Sequence, residues 1–291
     1  MTIDYDRLLN RAFVPVEQAY AARETILYAL GVGLGSAPLD RAQLPFVYEG
    51  LEGGLRALPT MAAVLGYPGF WPREPDTGID WRRLLHAEQT IELHKPVPPQ
   101  GRIVGRNRIV ALYDRGAGKG AFMGVERRLE DAATGELLAT VSQLNLLRGD
   151  GGFGGPAGAP PAPHAMPERA PDLSCALPTL PQAALIYRLS GDFNPLHADP
   201  AVARGAGFER PILHGLCTMG VAGHAVLRAL LDYDARRFAA MRVRFTAPAI
   251  PGDTLRTDLW VNGSVVSLRC TAVERDVVVL DRGRVDLRPS A

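Results

Sequence analysis

The chain is 291 residues long, carries 32 Lys+Arg against 31 Asp+Glu for a formal net charge of +1, and is 47% hydrophobic. That length and apolar fraction suit two modest domains or one larger one around a sizeable core, and they exclude a disordered chain. The balanced, intermixed charge lacks the basic footprint of a protein held to a phosphate backbone, so no nucleic-acid partner is expected.

The N-terminal MTIDYDRLLN is acidic where a signal peptide needs positive charge and an apolar run, and no stretch of about 18 apolar residues occurs. The chain reads as soluble, with no membrane partner. The C-terminal LRPSA is not a Ser-Lys-Leu address. Three scattered cysteines, Cys175, Cys217 and Cys270, form no Cys-x-x-Cys pair. A reducing, cytoplasmic compartment is expected.

In chain order, residues 16–33 (VEQAYAARETILYALGVG) carry apolar side chains at helical spacing up to the glycines Gly31 and Gly33. A long proline-rich irregular stretch follows. Then come IELHKPVPPQGRIV and the strand-like runs RIVGRNRIVALY, GAFMGVERRLE and ELLATVSQLNLL, with the turn DAATG before the last. Residues 149–165 are almost all Gly, Pro and Ala and read as a linker. The expected division is 1–148, a linker over 149–172, and 173–291.

The second part repeats the order: LIYRLSGD, a helix, VRFTAPAIPGDTL, and the strands LRTDLWV, SVVSLRCTAVE and VVVLDRGRVDL. Asn262-Gly263 predicts a type I′ hairpin turn. ILYALGVG aligns with LIYRLSGD at Tyr28/Tyr187 and Leu30/Leu189, and Pro96…Gly101 with Pro248…Gly252, which points to a duplication. Residues 214–231 (HGLCTMGVAGHAVLRALL) are helical in period but apolar or small nearly all round, so this helix must be enclosed, as by an antiparallel sheet wrapped around it.

Reactive side chains concentrate in residues 187–200, YRLSGDFNPLHADP, which hold Asp192, Asn194, His197 and Asp199. Gly191 and Pro195 bend the segment, so Asp192 and His197 can converge on one water; both titrate near enough to neutrality to exchange protons after modest shifts. The plainer reading is an Asx turn at Asp192 with His197 simply packed. Gly215 stands at a helix start, where free amides suit a developing oxyanion, although close helix packing alone explains a glycine. His214 and His224 read as structural histidines.

Residues 187–220, YRLSGDFNPLHADPAVARGAGFERPILHGLCTMG, resemble the hydratase 2 motif of (R)-specific 2-enoyl-CoA hydratases, the MaoC-like family that includes the hydratase part of peroxisomal multifunctional enzyme type 2. LHAEQTIEL, LYDRGAGKG and VRFTAPAIPGDTL follow the same pattern. The resemblance implies an α+β double hotdog: two tandem repeats, each an antiparallel sheet around a central helix. The first is degenerate and binds acyl-CoA; the second is catalytic. The ALGVG counterpart of LSGD has no carboxylate.

It further implies a hydro-lyase that reversibly hydrates trans-2-enoyl-CoA to (3R)-3-hydroxyacyl-CoA in fatty-acid or related acyl-CoA metabolism. Asp192 and His197 activate water, Asn194 orients them, and Gly215 N–H binds the thioester oxygen. His86, Ala87, Arg115 and Phe245 are the implied substrate and CoA contacts. Ala87 replaces the usual glycine and Arg115 a lysine, a fork where the family has a point charge. No metal or redox cofactor is implied, CoA being part of the substrate, and a homodimer is expected. The competing readings are an acyl-CoA thioesterase, a non-catalytic acyl-CoA-binding subunit, and a non-haem iron site built from His197, Asp199 and His214. The stretch 37–82, with Phe46, Tyr48, Tyr67, Phe70, Trp71 and Trp81, reads as a roomy apolar overhang for the acyl chain.

Overall fold

The computed structural model describes residues 2–289. The first half contains α1 (Tyr5–Leu9), β1 (Val16–Tyr20), α2 (Ala22–Gly31), α3 (Leu44–Val47), β2 (Leu84–Leu93), β3 (Gly101–Asp114), β4 (Ala121–Asp131) and β5 (Leu137–Leu147). The second contains β6 (Leu173–Pro178), α4 (Ala183–Tyr187), α5 (Pro200–Gly205), α6 (Gly215–Leu230), β7 (Phe238–Phe245), β8 (Thr254–Asn262), β9 (Val265–Ala272) and β10 (Val277–Leu287).

Ten described strands form one antiparallel sheet in the order β1-β3-β4-β5-β2-β7-β10-β9-β8-β6. The order reads the same from either edge: in each half the first strand is outermost, the second lies at the junction, and the last three form a meander between them. This is the double hotdog, and the duplication is visible in it. Tyr28 and Tyr187, matched between the repeats in sequence, face each other with ring centroids 5.9 Å apart.

The halves join where β2 pairs with β7, from Glu88↔Arg244 to Glu92↔Ala240. There the buried Glu88 carboxylate accepts from Arg242 Nε and Arg244 Nε, each at 2.9 Å, so one acid on β2 neutralises two bases on β7.

Helix α6 is buried from Cys217 to Leu227 and packs on both halves. A Cβ on Gly220 would lie 2.5 Å from Val32 Cγ1, and one on Gly223 would lie 2.6 Å from Thr60 Cγ2. These glycines let the helix press against the first half. That half has no counterpart of comparable length. Between α2 and β2 the chain makes only α3 and single 3-10 turns at Pro59–Ala63, Trp71–Arg73, Pro75–Thr77 and Trp81–Arg83. Proline opens three of these turns or follows their first residue, and it has no N–H to continue a helix.

Three sequence expectations need correction. Residues 16–20 are an edge strand pairing with β3, not the start of a helix. Apolar Val16 and Tyr20 satisfy a helical and an alternating period equally, and the helix starts only at Ala22, where the Glu24 carboxylate accepts the Ala21 N–H at 2.8 Å. In the β8–β9 hairpin Asn262 pairs with Val265, so Gly263 and Ser264 are the central residues. Positive φ occurs at Gly263 (60°) and at neither neighbour, the type II′ pattern instead of type I′.

Residues 149–165, expected as a linker, hold no helix or strand and are tied to both halves of the sheet. Gly152 and Gly154 donate their amides to the Asp114 carboxylate at 2.7 and 2.9 Å, and His164 Nε2 is 2.7 Å from Ser267 Oγ. Of the overhang aromatics, Phe46 and Trp71 are core residues, while Tyr48, Tyr67, Phe70 and Trp81 keep substantial exposure.

Candidate active site

The second half carries the reactive loop between α4 and α6. Gly191, at φ 116°, ends a 3-10 turn in the left-handed region and turns the chain back. The Asp192 carboxylate accepts the Asn194 N–H at 3.1 Å, the Asx turn anticipated as the plainer reading. Asn194 Oδ1 in turn accepts the Leu196 N–H at 3.1 Å and caps the short Pro195–His197 turn. Asn194 therefore shapes the loop that carries Asp192 and His197. Asp199 caps α5 by accepting from Ala201 N at 2.7 Å, which occupies it structurally.

The Asx turn coexists with convergence. Asp192, His197 and His214 each bring a carboxylate oxygen or ring nitrogen within 4.8 Å of the others. His197 Nδ1 is 2.9 Å from the Ile212 carbonyl, which can only accept, so Nδ1 carries the proton and Nε2 keeps its lone pair. Burial lowers the pKa of His197, holding the ring neutral. His214 stacks on it with centroids 3.7 Å apart and donates Nε2–H to the Asp192 carbonyl at 3.2 Å. Burial, and then the neighbouring His197, push the His214 pKa down to about 4.

His214 was read from sequence as merely structural, yet it forms one wall of the site. Its signal was its place immediately before Gly215, where an N-cap residue must lie beside whatever the helix N-terminus faces. The carboxylate that joins the two histidines is Asp192 and not Asp199. Two neutral rings and a carboxylate suit a cation as well as a water molecule in donor chemistry.

Gly215 is the first residue of α6, so its N–H has no intrahelical acceptor. A Cβ there would lie 3.0 Å from Phe245 Cε1, so the glycine also serves close packing. Phe245, at the end of β7, meets the His86 ring edge-on at 4.8 Å. Burial drives the His86 pKa down to about 4, and its Nε2 lies 3.1 Å from the Glu88 carbonyl. Ala87 is the extra residue of a β-bulge, between the pairs His86↔Asn145 and Glu88↔Leu144.

Arg115 sits in the exposed β3–β4 turn with its guanidinium 5.3 Å from the Phe122 ring centroid. Antiparallel register brings the start of β2, the β3–β4 turn and the end of β7 to one end of the sheet, so His86, Arg115 and Phe245 share that end. The sequence-predicted residues thus form an inner group (Asp192, His197, Gly215, Phe245, His86) and Arg115 at the rim.

Residues 18–149 match the MFE-2 hydratase 2 N-terminal domain and residues 163–282 the MaoC like domain. The chain is 40% identical to the enoyl-CoA hydratase ChsH3 of Mycobacterium tuberculosis, with 100% of each chain covered. It is 37% identical to the peroxisomal multifunctional enzyme type 2 of Mus musculus over 94% of this chain and 37% of that protein. The crystal structure of a MaoC-like dehydratase from Phytophthora capsici superimposes with a TM-score of 0.87 at 32% identity, covering 99% of this chain and 100% of that one. The chain belongs to the MaoC-like dehydratase family, in the group that pairs an MFE-2 hydratase 2 N-terminal half with a MaoC-like half.

Proposed function

We propose that the protein is an (R)-specific enoyl-CoA hydratase, a hydro-lyase that reversibly adds water to trans-2-enoyl-CoA to give (3R)-3-hydroxyacyl-CoA in fatty-acid or related acyl-CoA metabolism. The observation that carries this reading is the pairing of the Asp192 carboxylate with a neutral His197 whose Nε2 lone pair is left free. Two acceptors on one water hold both its protons and leave an oxygen lone pair for C3 of the enoyl thioester. As the C3–O bond forms, the pair takes one water proton and the electrons move to the thioester oxygen. Gly215 N–H stabilises that oxyanion, and the enolate collapses as the pair returns a proton to C2 on the same face.

Asn194 acts as a positioning residue for the loop. His86, Ala87, Phe245 and the rim Arg115 contact the acyl-CoA, with Arg115 directed to CoA phosphates. In this division of labour residues 1–148 hold acyl-CoA and residues 173–291 perform the chemistry. The polarised thioester is electrophilic without a metal or redox cofactor. Three free thiols, Cys175, Cys217 and Cys270, support a reducing, cytoplasmic setting. No described helix is long and apolar enough to cross a membrane. A homodimer is proposed from the exposed Leu185, Leu189 and Phe193 around the catalytic loop.

Replacing Asp192 by Asn or His197 by Ala should slow loss of the enoyl-thioester ultraviolet absorbance by about 10²-fold or more while far-ultraviolet circular dichroism stays native. Undiminished rates in both variants would refute the assignment. Stoichiometric release of free CoA thiol from an enoyl substrate would favour the thioesterase reading instead.

A further inference from the structure

The inner face of the first half's sheet carries a row of polar side chains. Strand β4 turns Met123, Val125, Arg127 and Leu129 inward, so Arg127 holds a core position and is only 6% exposed. Its partner on β3 is Asn107. On β5 its direct partner is Val141, and Gln143 and Asn145 follow diagonally on the same face, hydrogen-bonded to each other at 2.7 Å. These pair with Gln89 and His86 on β2. The row therefore crosses four strands and ends at the His86 ring that meets Phe245 in the site. It separates an apolar cluster containing Ile103, Leu129 and Val141 from another containing Ile109, Met123 and Val125.

Two donors in this row lack an acceptor among the described residues, Arg127 Nε and Asn107 Nδ2. The Arg127 guanidinium has no carboxylate partner there either. It donates to the Ala63 carbonyl at 2.6 Å and lies 5.7 Å from the centroid of the Tyr67 ring. Burial lowers its pKa to about 10, which leaves it charged at neutral pH. A buried charge without a carboxylate counter-ion and an adjacent buried amide donor without an acceptor are both destabilising, and an ordered water or an acceptor from outside the chain would satisfy them. Burial, and then the Asp192 carboxylate, push the pKa of the neighbouring Tyr67 phenol up to about 12, with Arg127 opposing them.

We propose that Arg127 and Asn107 form a subsite for an oxygen acceptor, a carboxylate or a ketone, carried on the acyl group away from the thioester. The protein then selects oxygenated acyl chains over plain hydrocarbon ones. The inference rests on the hydratase reading for its substrate, and its test is built to fail separately. Hydration is measured for trans-2-enoyl-CoA substrates of matched length that end in a methyl group, a carboxylate or a methyl ketone, over a series of chain lengths. Binding of octanoyl-CoA and of suberyl-CoA is measured by calorimetry, which needs no turnover.

At the fitting length kcat/KM should favour an oxygenated chain by about tenfold or more, as expected for a charge-assisted contact. In Arg127→Met the ratio of oxygenated to plain substrate should fall toward one. A carboxylate preference alone identifies an ion pair as the recognition element, and a shared preference identifies hydrogen bonding; either supports the subsite. Equal kcat/KM for all end groups at every length, or a ratio unchanged in Arg127→Met, overturns it. If Arg127→Met does not fold, the wild-type ratio and its loss in Asn107→Leu decide. If no enoyl-CoA is hydrated, the hydratase reading fails, and the subsite stands or falls on whether suberyl-CoA outbinds octanoyl-CoA.

Discussion

The Ile212 carbonyl, by fixing the His197 proton on Nδ1, decides that Nε2 is the nitrogen offered to the proposed water, so the proposed mechanism requires a neutral imidazole. Because burial lowers the folded pKa of His197 below its ordinary 6.5, activity should be flat through neutrality and fall only as pH drops below that value. A pH–rate profile with an acid limb at or above 6.5 would contradict this. Stability follows the same groups. His86, His214 and His224 have folded pKa values of about 4, so between pH 6.5 and 4 the unfolded chain binds more protons than the folded one. Stability is full above 6.5 and should decline through that window, as urea midpoints at several pH values will show. The convergence of Asp192 and His197 is legible in the sequence because Gly191 and Pro195 announce a bent loop, and Gly215 is legible only as a helix start. The stacking of His214 on His197, 17 positions earlier, is not, since it is set by tertiary packing. Arg127 was hidden as well, because in a strand with Glu126 and Arg128 beside it nothing local distinguishes an inward arginine from a solvated one.

At the scale of the elements, the β2–β7 junction depends on one buried carboxylate shared by Arg242 and Arg244. Glu88→Ala leaves two partly buried guanidinium groups side by side on β7 with no carboxylate between them and should cost about 1–3 kcal/mol in denaturant unfolding. A loss within about 0.5 kcal/mol, the range of ordinary surface substitutions, would show that the seam is held by backbone pairing alone. Gly215→Ala should push Phe245 out of place, since the new Cβ would lie 3.0 Å from its ring, and should lower kcat/KM with little change in stability. The meanders β3–β5 and β8–β10 and helix α6 were read correctly because long periodic runs fix their own type. Strand β1 was misread because five residues cannot separate a period of 2 from one of 3.6 when the apolar positions are i and i+4. The hairpin turn was misassigned by one residue because register is set by pairing across the whole ladder, not by the Asn-Gly dipeptide.

Over the whole molecule, duplication has produced a single continuous sheet with one long helix buried between unequal halves. Tyr28, Val32 and Met61 from the first half belong to the same apolar cluster as Met219, Ala222 and Val226 of α6. Urea unfolding should therefore be one cooperative transition, with tryptophan fluorescence and far-ultraviolet circular dichroism coincident; two separated transitions would mean that the halves are independent. The near-zero net charge fits the proposal that anions are met by placed side chains, Arg115 at the rim and Arg127 inside, and not by a general field. The central claim is water addition at a single Asp192–His197 pair, and the stereochemistry of the product tests it most directly. Incubation with trans-2-enoyl-CoA followed by chiral analysis should give (3R)-3-hydroxyacyl-CoA alone, formed about 10²-fold more slowly or worse when Asp192 is Asn. The (3S) product, a racemate, or unchanged (3R) product from Asp192→Asn would contradict it.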